Sequence, residues 1–209
     1  MNTPTQYVNI VYFNEDSSKL DNYERFRTRY VRTWGHLLNE HGLYWGREVG
    51  KHERLWSIAF LKDEHSQDDL QRSPEYQSWL TDTNTAMPVK LLNVPVRGSR
   101  PMHEVLEAGV VILGYYKLAA HRNADRFEEL AQRFLTEIDM PGFHGGAYIS
   151  PTGLGGDAIT FGAWDSIQAC TQLGTDGRHT ELLSQMNEAF DATARTFITF
   201  VKFQKHVIA

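Results

Sequence analysis

The chain has 209 residues, a net charge of −5, 41% hydrophobic and 12% aromatic residues, enough apolar material for one large domain or two small ones. The mild net charge shows no strong basic asymmetry, which argues against nucleic-acid binding, and the longest apolar runs, such as Ala108–Leu113, are too short to span a bilayer. The single cysteine, Cys170, excludes an internal disulfide framework, and the first residues lack the pattern of a signal peptide, so a cytoplasmic location is expected.

Taken in order, Tyr7–Phe13 is rich in β-branched and aromatic residues and reads as a strand. Ser17 or Ser18 is positioned to cap the helix that follows. On that helix Leu20, Tyr23, Tyr30, Trp34, Leu37 and His41 recur at helical spacing, and Gly42 is expected to end it. Strands are expected near Leu43–Val49 and Leu55–Leu61, joined by a turn at Lys51–Glu53. A broken helix follows over 67–84 with Pro74 at a start, and then a strand at Val89–Val96. The order βαββαβ then repeats. Strands are expected at Gly109–Leu118, Phe143–Ser150, Ala158–Trp164 and Thr196–Phe203, with helices at Asn123–Ile138, Ser166–Leu173 and Arg178–Ala194. Gly153–Gly156 reads as a hairpin turn.

The repeat is visible in the residues themselves. Asn22-Tyr-Glu-Arg-Phe26 returns as Asn123-Ala-Asp-Arg-Phe127, an offset of 101, and Gly42–Gly46 returns as Gly142–Gly146, an offset of 100. Two ferredoxin-like α+β repeats are therefore expected, 1–97 and 105–209, with a Gly/Pro-rich linker over 98–104. The last strand leaves no clean polar face. The two sheets are therefore expected to pack face to face as an intrachain α/β barrel, a pseudo-dimer within one chain that leaves further homodimerisation open.

With that architecture in place, the chain resembles the dimeric α/β-barrel superfamily, and in particular antibiotic-biosynthesis-monooxygenase-type domains. Asp68–Gln77, ending in Ser-Pro-Glu-Tyr-Gln, is similar to a segment common there. So are Pro141-Gly-Phe-His-Gly-Gly146 and Phe161-Gly-Ala-Trp-Asp-Ser166. The resemblance implies a small-molecule enzyme that oxygenates an aromatic or polyketide-like substrate without a cofactor. Its alternatives are a haem-binding or haem-degrading protein with a His ligand, and a non-catalytic protein holding a hydrophobic molecule. It places His179 at a position where that family often carries a His, Asn9 where a first-strand Asn can hold substrate or O2, and Trp164 at the third-strand aromatic.

The residues give their own reading beside this. No catalytic, phosphate-binding or dinucleotide signature is present. His36 and His41, five apart on the expected helix, are about 500° apart around it and share no metal. His179 and His144 are the candidate catalytic groups, since a neutral imidazole can take or give a proton. Each also has a structural reading, as a solvated helix start and as a strand residue beside a bend. Asn9 is polar within an apolar strand and must be hydrogen-bonded or face a pocket. Trp34, Trp56 and Tyr115 belong to a set of polar-tipped aromatics that either pack the core or line a site for a flat ligand, with Trp164 as a wall. Tyr30 matches Ala131, and Trp45 matches Gly145 at the 100-residue offset, so the second repeat is expected to be emptier and to hold the pocket.

Overall fold

The computed structural model describes residues 6–13, 20–49, 54–86, 89–117, 124–149, 157–173, 175, 177–188 and 197–206. These fall into two compact units, one built from Gln6–Val94 with the chain end from Phe203, the other from Pro95–Lys202.

The N-terminal unit contains β1 (Gln6–Phe13), α1 (Leu20–Trp34), β2 (Leu38–Glu48), β3 (Leu55–Leu61), α2 (Glu64–Arg72), α3 (Pro74–Ala86) and the start of β4 (Val89–Gly98). The C-terminal unit contains α4 (Met102–Leu106), β5 (Val110–Lys117), α5 (Ala124–Glu137), β6 (Phe143–Ile149), β7 (Asp157–Trp164), α6 (Ile167–Leu173), α7 (Thr180–Glu188) and most of β8 (Phe197–His206). Within each unit the strand order is that of a ferredoxin-like sheet, β4-β1-β3-β2 and β8-β5-β7-β6. The α+β fold read from the sequence is thus the fold of the chain. No described helix is long and apolar enough to cross a membrane.

Local chemistry explains the elements. Phe26, Tyr30 and Trp34 lie four apart on α1, so one stripe of the helix is buried against its sheet. Asp63 caps α2, its carboxylate accepting from the Ser66 amide at 2.7 Å, and Pro74 starts α3 where a missing N–H costs nothing. On β1 and β3 the residues alternate between two faces. Asn9, Val11, Leu55, Ala59 and Leu61 face the helices, whereas Tyr12 and Trp56 stack on each other at 4.6 Å on the opposite face.

Several expectations are corrected. The first helix ends at Trp34, not Gly42. A 3-10 turn over Gly35–Leu37 leads straight into β2, so His36 and His41 do not share a helix. Gly42 (φ 69°) lies within β2, next to a register shift between Leu38 and Leu43. Gly145 (φ 89°) holds the equivalent place in β6, beside the shift between Phe143 and Gly146. A bulge needs the left-handed conformation that glycine adopts freely, which accounts for both residues. The segment expected as linker carries the helix α4, packed through the buried Met102, Val105 and Leu106. The Ser17/Ser18 cap, the Lys51–Glu53 turn, the Gly153–Gly156 turn and the end of the last helix beyond 188 lie outside the described residues.

Candidate functional site

The two units treat the space between sheet and helices differently. In the N-terminal unit a continuous cluster fills it, with Tyr30, Trp34, Tyr76 and Trp79 packed ring to ring at centroid distances of 5.2–6.4 Å. Asn9 reaches into this cluster from β1. Its amide nitrogen donates to the Tyr76 hydroxyl at 2.8 Å, and its oxygen accepts from the Tyr30 hydroxyl at 3.2 Å. Burial, with Tyr76 adding to it, holds the Tyr30 phenol well above its ordinary range.

In the C-terminal unit the same layer is broken into separate clusters. One is around Phe127 and Ala131, one around Ile138 and Trp164, and one around Leu130, Leu182 and Met186, with Phe134 touching all three. Between them lies a cavity of about 350 Å³. Ala131, Phe134 and Leu135 of α5 form one side, and Ile112, Tyr116, Thr160, Gly162, Trp164 and Phe200 of the sheet the other. Cys170, Leu183 and Met186 close it, and Ile198, 63% exposed, stands at its edge.

Sheet register shows why the space is open. Asn9 pairs with Ala59 in the N-terminal unit, and Ile112 pairs with Gly162 at the equivalent place, both at an offset of 103. On the helices, at the 101 offset, Tyr30 becomes Ala131 and Trp34 becomes Leu135. Without a side chain at Gly162, the Trp164 indole lies alongside; a Cβ there would come within 3.2 Å of its ring nitrogen. Trp164 is 1% exposed and packs on Phe143 at 4.8 Å.

The lining is almost wholly apolar. Its polar groups are the Tyr116 phenol, Thr160, Thr171, the Cys170 thiol and the Trp164 N–H, and among the described residues no charged side chain takes part. Burial pushes the Tyr116 phenol up, against the opposing pull of its hydrogen bond with Thr160, so it is a neutral donor at physiological pH. Burial likewise pushes the Cys170 thiol up to about 11, which leaves it protonated and a poor nucleophile.

Of the candidate residues, Trp164 lines this cavity. Asn9 and Trp34 come together, but in the filled core of the N-terminal unit. Trp56 lies on the other face of its sheet, its indole N–H donating to the buried Glu48 carboxylate at 3.0 Å. Tyr115 is one residue out of phase. Strand alternation turns its neighbour Tyr116 to the cavity and Tyr115 to the opposite face. His144 is exposed and bonded to Asp165 at 2.6 Å. His179 ends a 3-10 turn before α7; its Nε2 is enclosed without a hydrogen-bond partner among the described residues, and it is not in the lining. The Trp45–Gly145 match fails, because Trp45 stands opposite Ser57 as Tyr148 stands opposite Thr160. Gly145 serves its bulge, and a Cβ on Gly146 would collide with the Phe161 carbonyl. The small residues that open the cavity are Ala131 and Gly162.

Among the described residues no group of three or more His, Cys, Asp or Glu is placed to hold a metal ion. Among the described residues of this cavity a haem would find no imidazole and only a protonated thiol, so those residues do not fit that group.

No protein-family model matches the chain, and no curated protein matches it. Solved structures do. An anthrone oxidase-like protein superposes with a TM-score of 0.71 at 10% identity, over 97% of this chain and 92% of that one. A proposed monooxygenase from Lactobacillus acidophilus NCFM gives 0.60 at 11% identity, over 96% and 94%. Another from Fusobacterium nucleatum subsp. nucleatum gives 0.60 at 9% identity, over 95% and 92%. Identities this low carry architecture and not chemistry. The chain is similar to these proteins in fold, with two ferredoxin-like units in one polypeptide.

Proposed function

We propose that the C-terminal unit binds an uncharged aromatic or polyketide-like molecule and oxygenates it with O2, using no bound cofactor. The observation that carries this reading is the cavity: about 350 Å³, faced by Phe134, Trp164 and Phe200, with no charged side chain among its described lining residues. Such a site takes flat apolar ligands and keeps them dry. The likeness in fold to an anthrone oxidase-like protein suggests the reaction type. A CH2 group held between two aromatic rings becomes a carbonyl. One oxygen of O2 ends on carbon, the other leaves as water with both hydrogens, and all four electrons come from the substrate. No external reductant is needed.

The residues contribute binding and orientation. The ring walls hold the ligand's faces, and the Tyr116–Thr160 hydroxyls offer donors to an oxygen on its edge. With no carboxylate, imidazole or amine among the described lining residues, the chemistry suits substrates whose C–H is made acidic by conjugation. The same absence of a base favours a second reading, a carrier that binds without turnover.

Titration of anthrone into the purified chain, read by tryptophan fluorescence and an oxygen electrode, separates the readings. Saturable binding with oxygen uptake above the buffer rate supports the oxygenase. Binding with no uptake supports the carrier, and absence of binding overturns both.

A further inference from the structure

We propose that Ala131 sets the size of ligand that the cavity admits, and that the ligand is a fused-ring molecule standing where Tyr30 and part of Trp34 stand in the N-terminal unit. This rests on the reading of the cavity as a ligand site. Phe26 and Phe127, matched at the 101 offset, are buried on α1 and α5 alike, so the two helices present the same face to their sheets. Four residues along, one unit places a phenol ring and the other a methyl group. Eight along, one places an indole and the other Leu135. The volume removed, a phenol ring at Ala131 and the excess of an indole over a leucine at Leu135, is roughly that of one to two rings, to which the cavity adds the space already open beside them.

The contacts of Tyr30 indicate how the ligand lies. Its ring packs against Trp34 at 5.5 Å and Trp79 at 5.5 Å, and its hydroxyl meets Asn9. In the C-terminal unit the residue equivalent to Asn9 is Ile112, which offers no hydrogen bond. The ligand edge facing Ile112 is therefore hydrocarbon, and an oxygen substituent belongs at the Tyr116–Thr160 end. Gly162, paired with Ile112, lets that hydrocarbon edge approach the sheet.

The test is a graded series, Ala131→Val and Ala131→Phe, titrated with two neutral probes: anthracene, with three fused rings, and p-cresol, with one. The ratio of the two affinities is the readout. It should shift against anthracene by about tenfold or more in Ala131→Phe and by less in Ala131→Val. Circular dichroism checks folding, and Ala131→Val supplies the answer should the larger variant not fold. An unchanged ratio in folded variants overturns the role of Ala131 and leaves the site standing. Failure of the unsubstituted chain to bind either probe overturns the site, and the inference with it.

Discussion

Replacing Asn9 by Ala tests whether this residue holds a ligand or holds the protein together. In the structure its amide group serves two buried phenols, Tyr76 at 2.8 Å and Tyr30 at 3.2 Å. Truncation leaves both hydroxyls facing an apolar cluster, at about 1–3 kcal/mol for each unsatisfied group. A loss of about 3 kcal/mol or more is expected, which for a chain of this size lowers the melting temperature by about 6–12 °C. A second variant isolates the cause. Asn9→Leu combined with Tyr30→Phe and Tyr76→Phe removes the amide and both phenol hydroxyls at once, and replacing both sides by apolar groups of similar shape is nearly neutral. The triple variant should therefore recover most of the stability that Asn9→Ala loses. Thermal melts and urea titrations of both variants give the comparison, and ligand affinity in the C-terminal cavity should be unchanged. An Asn9→Ala protein of full stability that had lost ligand binding would refute the reasoning and return Asn9 to the site.

Other consequences follow from the same geometry. Phe134→Ala removes the side chain that touches all three clusters around the cavity, and should cost about 3 kcal/mol, seen as a lower urea midpoint. Glu48→Leu orphans the Trp56 indole N–H and should destabilise by about 1–3 kcal/mol; Glu48→Gln, which keeps an acceptor, should cost less. At alkaline pH the unfolded chain releases protons from Cys and Tyr that the folded chain retains, since burial raises the Cys170 thiol to about 11 and the Tyr30 and Tyr116 phenols above their usual range. Their contribution to stability is present below pH about 9 and is lost as the pH climbs through the folded values, so urea midpoints should fall steadily above pH 9, less steeply in Tyr30→Phe. A ligand at about 100 times its Kd should add about 2.7 kcal/mol of stability, measured as a rise in melting temperature.

The duplication and the ferredoxin-like order were legible because they are written in local patterns. Phe26 and Phe127 sit on matched amphipathic helices, and the strands are short apolar runs between turn residues. Boundaries failed where glycine has two uses. Gly42 reads as a helix terminator, yet its positive φ serves a bulge inside β2, and only pairing with β3 distinguishes the two. The site was legible in part. Ala131 against Tyr30 marked the emptier half, but the offset of 100 borrowed from the glycines was wrong for the strands, where pairing requires 103. At that offset Trp45 matches Tyr148 and not Gly145, and Gly162 stands at the place of Ala59. The choice of Tyr115 over Tyr116 has the same origin, because a one-residue uncertainty in strand phase exchanges the two faces of a sheet. Imidazoles attracted attention for their chemistry, whereas the cavity is made by residues that lack side-chain bulk.

The two units act as controls for one another. They share strand order, helix placement and the buried Phe that anchors the first helix, yet one is packed with aromatic rings and the other is open. At about 24 cal/mol per Å³, an empty apolar cavity of 350 Å³ would cost about 8 kcal/mol, comparable to the whole stability of an ordinary domain. The exposed Ile198 at its edge lets solvent approach and lowers that figure, but the lining gives water few hydrogen-bonding partners. Closing the space needs no new architecture, because Tyr30 shows that one larger residue on the first helix, with its neighbours, fills it. An open layer beside a filled one, on the same frame, is therefore a cost that a bound ligand would offset, as expected if the proposed site lies in the unit that lacks the rings.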